Sequence, residues 1–242
     1  MADLRDRAVT SGSTVAPMDL RVMLDPTAAA SLAAEVIARR LMSAVRRRGH
    51  ATVAFSGGTT PAMMLADLVT LRVSWHDVTV FQVDERVAPD GHPDRNLALL
   101  DALAPTGALI VPMPVTAADL PAAAQQYCRQ LPPSLDVVHL GLGDDGHTAS
   151  WPPGDRVVDS TSTVAISGEY RGRVRMTLTP LAVNAARFRL VLATGAGKAR
   201  PVAQWWAGDR DLPISHVRRT ATLLVADLDA APSERTPDGS DL

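Results

Sequence analysis

Asp145 and His147 flank a single glycine in the run GLGDDGHTAS, from Gly141 to Ser150. A carboxylate beside an imidazole is the pairing general acid/base chemistry uses. The carboxylate fixes the ring tautomer, and an imidazole, with an ordinary pKa of roughly 6.5, exchanges protons near neutrality. Gly141, Gly143 and Gly146 let the backbone turn tightly and approach a ligand with no Cβ in the way. Taken alone, DGH is more simply an Asp/Gly-rich turn carrying a surface histidine. The surrounding string is what singles it out.

The elements that must hold this loop can be read from the apolar pattern. Asp136–Leu142 is a short Val/Leu-rich run that predicts a buried strand feeding the glycine loop. Earlier, Ala51–Phe55 predicts a strand ending in Ser56-Gly57-Gly58-Thr59-Thr60-Pro61, with Thr60 as the helix N-cap and Pro61 as the first helical residue. Glycines ahead of a helix start expose backbone amides at the positive end of the helix dipole, which makes an anion site. The same hexapeptide reads equally well as a tight β-to-α turn. It is neither a Walker loop nor GxGxxG.

Val78–Val83 predicts a third strand, ending in Asp84-Glu85-Arg86, where ligands of open α/β sheets bind; the bland alternative is a solvated loop with an internal ion pair. Val174–Leu178 predicts a strand with Arg173 and Arg175 on one face. Phe188–Ala193 leads into Gly195–Lys198, a second glycine-rich turn before a helix. Asp25-Pro26 caps an Ala-rich helix that runs to Arg48 and stops at Gly49. His139, inside an apolar strand, reads as a hydrogen-bonded core histidine, and Trp151 as a wall of the site. Strands alternating with helices predict a mostly parallel sheet covered on both faces. Residues 18–230 read as one α/β domain, 1–17 as a disordered leader and 231–242 as a disordered tail.

Composition narrows the function classes. The 242 residues are 46% hydrophobic and 21% charged with a net charge of −2, so no basic field exists to hold nucleic acid or an anionic membrane. Any anionic ligand must be caught locally. Lys198 is the only lysine in the chain, and it falls in the second glycine turn. Cys128 is the only cysteine, which fits a reducing, cytoplasmic setting. The six histidines show no HExxH-type spacing, so neither a metal nor an organic cofactor is expected.

Four stretches together resemble the 6-phosphogluconolactonase family, within the superfamily that also holds glucosamine-6-phosphate deaminases. They are FSGGTTP at Phe55–Pro61, VDERVAP at Val83–Pro89, GLGDDGHTAS followed by WPPG, and RVRMTLT with ATGAGKA between Arg173 and Ala199. The resemblance implies an α/β fold with a Rossmann-like open sheet. It implies hydrolysis of 6-phospho-D-glucono-1,5-lactone to 6-phospho-D-gluconate, the second step of the oxidative pentose phosphate pathway; a monomer or weak homo-oligomer is the expected assembly, though no residue pattern sets it. His147 would be base and then acid, Asp145 would orient it, and Asp84 matches a family active-site aspartate. Gly57, Gly58, Thr59 and Thr60 would hold the 6-phosphate with Arg175 and Lys198, while loop amides or Arg86 would face the developing oxyanion. The sister deaminases resemble DGHIAFNEPG at the central loop, with a ring-opening glutamate where this chain has Pro152. An isomerase/deaminase and a silent sugar-phosphate binding module are the rival readings. The family more often has Leu-Phe where this chain has Trp151-Pro152.

Overall fold

The computed structural model describes residues 18–232; the segment 1–17 and most of the tail, 233–242, lie outside the described residues. Its first strand and helix are β1 (Asp19–Met23) and α1 (Pro26–Arg48). Asp25 caps α1 by accepting from the Ala28 amide at 2.8 Å, and Gly49 ends it in the left-handed region at φ 78°. The helix buries a stripe of Ala30, Ala33, Ala34, Ile37, Leu41 and Ala44, the spacing that places small side chains on one face.

Then follow β2 (Ala51–Phe55), α2 (Thr59–Leu68), β3 (Val78–Gln82), β4 (Asp84–Arg86), α3 (Leu97–Leu100), β5 (Leu109–Val111), α4 (Leu120–Gln130) and β6 (Val137–Gly141). The remainder is β7 (Val164–Tyr170), β8 (Arg173–Leu178), α5 (Pro180–Ala185), β9 (Arg189–Ala193), α6 (Ala199–Ala207) and β10 (Thr222–Asp227).

Seven strands form one parallel sheet in the order β1-β10-β9-β6-β2-β3-β5. Val53, Phe55, Leu190 and Leu192 face α1 and α2 on one side. Ala54, Val138, Leu140 and Val191 pack on the other side with Tyr127 of α4 and Trp205 of α6. The parallel sheet covered on both faces is the architecture the alternation of strands and helices predicts. From β2 the chain winds to β3 and β5, and from β6 it winds the opposite way to β9 and β10. The loops leaving β2 and β6 therefore diverge at the switch point, where open α/β sheets bind ligands.

A second sheet, β4-β8-β7, is antiparallel. The sequence reading treats Asp84-Glu85-Arg86 as charges beyond a strand; they are a strand, with Asp84 opposite Thr177, Glu85 opposite Met176 and Arg86 opposite Arg175. The solvated-loop alternative is wrong for Glu85, which is fully buried and accepts from the Gln82 side chain and the amides of Arg86, Asn96 and Leu97. Arg95 Nε lies 3.0 Å from its carboxylate, an ion pair without the alignment of a hydrogen bond.

Three local expectations are corrected. Helix α2 starts at Thr59 with Gly58 as its N-cap, and no side chain caps it. Thr60 is already helical, and its hydroxyl instead meets that of Thr194 at 2.6 Å. His139 is fully buried, but neither ring nitrogen has a hydrogen-bond partner among the described residues, and burial pushes its pKa down to about 3. Trp151 does not wall the cleft. It is completely buried in the core, with its indole N–H donating to the Leu178 carbonyl at 2.7 Å.

Candidate active site

Strand β6 delivers its loop to the switch point, and two glycines set the loop's shape. Gly146 has φ 82° and packs where a Cβ would lie 2.8 Å from Leu212. A Cβ on Gly143 would lie 1.9 Å from His147 Nδ1, so the imidazole sits in space that only glycine leaves open. The Gly143 amide donates to the His147 carbonyl at 2.7 Å, which closes the loop on itself.

Within that loop His147 Nδ1 lies 2.5 Å from Asp145 Oδ1, and the His147 amide donates to the same oxygen at 3.1 Å. The other carboxylate oxygen, Oδ2, accepts the Tyr170 hydroxyl at 2.5 Å. Burial pushes the Asp145 carboxyl up, but these donors outweigh it and hold its pKa at about 2. An ionised Asp145 assigns the ring proton to Nδ1 and leaves Nε2 as the free lone pair. Nε2 has no hydrogen-bond partner among the described residues, and the side chain is 19% exposed.

Side-chain contacts join this dyad's loop to its neighbours. The space beside Gly57, where a Cβ would clash with the Asn96 amide, seats Asn96, and Asn96 Nδ2 donates to the Asp84 carbonyl at 3.0 Å. The buried Asp84 carboxylate accepts from Ser150 Oγ at 2.6 Å. Ser150 belongs to the same loop as Asp145 and His147. On the other flank the positive charge of Lys198 helps hold Asp144 below the usual carboxylate range, behind the larger contribution of its hydrogen bond from Arg171. Thr194, four residues before Lys198, returns to Thr60. Gly57, Asp84 and the Asp145–His147 loop are thus linked through Asn96 and Ser150, and Thr60 is linked to the β9 turn that leads to Lys198.

Arg86 and Arg175 stand on the small sheet as directly opposed residues. Like charges in that register repel, and the Nε–H groups of both are buried without a hydrogen-bond partner. Arg86 donates through its terminal nitrogen to the Asp94 carbonyl at 2.7 Å. Arg175 is 6% exposed, and burial pushes its pKa down. Arg175 thus comes in beside Arg86 and Tyr170, whereas Lys198 lies on the turn after β9 and its charge is felt by Asp144. Arg173 is tied to Asp94 and His92.

Sequence reasoning missed Tyr170, Ser150 and Asn96 as neighbours of Asp145 and Asp84. Tyr170 ends β7, and its only sequence signal is an aromatic residue before the Arg171-Gly172 turn. Asp144, Asp145 and His147 also bring three ligand-type atoms within 4.8 Å of one another. Asp145 Oδ1 and His147 Nδ1 already bond each other, so those two atoms are not free to take a cation without breaking that bond.

An open parallel α/β sheet that carries a carboxylate–imidazole dyad on the loop leaving β6, with the cations of Arg86 and Arg175 on the adjoining small sheet, defines an α/β enzyme class suited to small anionic substrates. A family model described as glucosamine-6-phosphate isomerases/6-phosphogluconolactonase matches residues 24–225, and the chain belongs to that family. It is 35% identical over 190 residues to a 6-phosphogluconolactonase of Synechocystis, covering 72% of this chain and 79% of that one. A 6-phosphogluconolactonase of Rhizobium meliloti is 34% identical over 219 residues, 84% of this chain and 94% of the relative. Among solved structures, a 6-phosphogluconolactonase from Trypanosoma brucei superposes with a TM-score of 0.80 at 26% identity, covering 90% of this chain and 98% of the other.

Proposed function

We propose that this protein is a 6-phosphogluconolactonase, opening 6-phospho-D-glucono-1,5-lactone to 6-phospho-D-gluconate in the pentose phosphate pathway, with His147 as general base. The observation that carries the catalytic reading is the 2.5 Å contact between His147 Nδ1 and an Asp145 carboxylate held ionised, which frees Nε2 to take a proton. Water attacks C1 as Nε2 removes its proton, and a tetrahedral oxyanion forms at C1. The C1–O5 bond then breaks, O5 takes the proton from the imidazolium, and the ring returns to its neutral state. The new C1 hydroxyl is that of a carboxylic acid, which loses the water's second proton to solvent to become the carboxylate, so both water protons are accounted for and one appears in solution per turnover.

The developing oxyanion needs a donor, and the partly exposed Arg86 guanidinium can supply one. The loop amides of the glycine turns are the alternative. The 6-phosphate lies against the start of α2 at Gly57–Thr60, where amides and helix dipole favour an anion, with Lys198 and Arg175 supplying charge. Asp84, whose carboxylate is held by the Ser150 hydroxyl, serves in this reading either to bind sugar hydroxyls or to tune His147. The chemistry uses no metal and no organic cofactor, and the lone, half-buried Cys128 suits a reducing cytoplasm. No helix of the described residues is long and apolar enough to cross a membrane.

The sister activity on this fold opens an amino-sugar ring with a glutamate at the position of Pro152. Pro152 has no side chain that moves a proton, which favours the lactonase. The test is proton release from freshly made lactone against its spontaneous background, with and without chelator, alongside ammonia release from glucosamine 6-phosphate. Enzymatic lactone opening that survives chelation, with no ammonia formed, supports the reading. Ammonia release without lactone opening would overturn it.

A further inference from the structure

The hairpin between β7 and β8 belongs to the small sheet, yet its tip reaches the dyad. Arg171 and Gly172 turn it with φ of 50° and 76°, a pair of left-handed residues that reverses the chain in two positions. Arg171 is not a glycine, and such a conformation is held only where surrounding contacts fix it. Those contacts are the Arg171 guanidinium donating to Asp144 at 2.8 Å and stacking 5.2 Å above the Tyr170 ring. Arg175 stands over the same ring, also at 5.2 Å. Two cations therefore pin one aromatic ring.

The pinned ring points its hydroxyl at the dyad. Tyr170 Oη donates to Asp145 Oδ2 at 2.5 Å and lies 3.2 Å from His147 Nδ1, and the Tyr170 and His147 rings meet edge-on with centroids 5.2 Å apart. Nδ1 carries the proton given to Asp145, so the hydroxyl's acceptor is the carboxylate. Each Asp145 oxygen then has a fixed donor, which sets the plane of the carboxylate and through it the plane of the imidazole. We infer that Tyr170 is a positioning residue for the acid/base dyad, and that the Tyr170–Arg175 hairpin is the part of the small sheet that sets the orientation of His147.

The inference rests on the lactonase reading for its kinetic arm only. Burial first and the Asp145 carboxylate second push the Tyr170 hydroxyl up to about 12, so it remains a donor throughout the working pH range. Its charged neighbours are Asp145 and Asp144 from the β6 loop, with His147 beside them, Arg171 of its own turn and Arg175 of β8. Lys198 acts on the group through Asp144.

The experiment is Tyr170→Phe, which keeps the ring between its two guanidinium groups and removes the hydroxyl alone. We expect kcat to fall about 10-fold or more, the size of a lost bond to a charged group, with KM within about twofold. Independently of any substrate, imidazole 15N NMR of the variant shows His147 as a mixture of tautomers where the unaltered protein shows the Nδ1–H form. An unchanged kcat or an unchanged imidazole spectrum overturns the inference, and so does a raised KM with kcat intact, which would make Tyr170 a substrate contact. Absence of lactone opening in the unaltered protein sinks the functional reading instead, and the NMR arm still decides on Tyr170.

Discussion

Gly143→Ala tests the geometry of the dyad without touching any titratable group. Gly143 is not in the left-handed region, so alanine adds no backbone strain there, and only the new methyl matters. That methyl would lie 1.9 Å from His147 Nδ1, 2.2 Å from Cε1 and 2.6 Å from Asp145 Oδ1. Ordinary van der Waals contact begins near 3.4 Å, so the imidazole must retreat by about 1.5 Å, the difference of 3.4 and 1.9. A misplacement of about 1 Å in a catalytic group costs roughly 100-fold in rate. The variant should lose about 100-fold or more in kcat toward the lactone. The His147 side chain is 19% exposed and can swing outward rather than strain the core, so Tm should change little. Stopped-flow proton release with the spontaneous rate subtracted, together with a thermal melt, separates the two effects. Near-normal kcat in a folded Gly143→Ala protein would refute the placement of His147 in this loop.

Other consequences concern binding and stability. Lys198→Ala should raise KM for the phosphorylated lactone about 10-fold or more with a smaller change in kcat, since a charge-assisted bond to phosphate contributes about 1.5–3 kcal/mol. The unphosphorylated glucono-1,5-lactone should show no such change, and an equal loss on both substrates would remove Lys198 from the phosphate site. His139 governs acid stability. Its folded pKa of about 3 lies below the 6.5 of a free imidazole, so the unfolded chain binds more protons between those values, and stability falls as pH drops through that window and is level above it. At pH 5 the loss amounts to about 2 kcal/mol, from about 1.5 units below 6.5 at 1.36 kcal/mol each. His139→Leu should shift the acid unfolding midpoint to lower pH; an unaltered midpoint by circular dichroism would show that the ring is not a neutral, unpaired core group.

What the sequence disclosed follows how local the determining physics is. Helix α1 is readable to the residue because Asp25, Pro26 and Gly49 act within one turn of its ends. The strands of the parallel sheet announce themselves as apolar runs, and the Asp145-Gly146-His147 loop follows one of them in sequence. Strand β4 was hidden because a charged triplet is a poor strand by composition. It is stable only because Arg95, Asn96 and Leu97 return from a later loop to satisfy Glu85. Thr60 looks like a cap by residue type, but a hydroxyl 134 positions away competes for it. Tyr170 and Asp145 meet across 25 residues and two sheets, a pairing that no motif encodes.

The central claim is that one imidazole moves the protons of lactone opening. Its most direct measurement is kcat of His147→Gln on 6-phospho-D-glucono-1,5-lactone, corrected for spontaneous hydrolysis, in a variant shown to be folded. Loss of the base should lower kcat by about 100- to 10,000-fold while KM stays within a few-fold. A kcat within a few-fold of the unaltered enzyme would contradict the account.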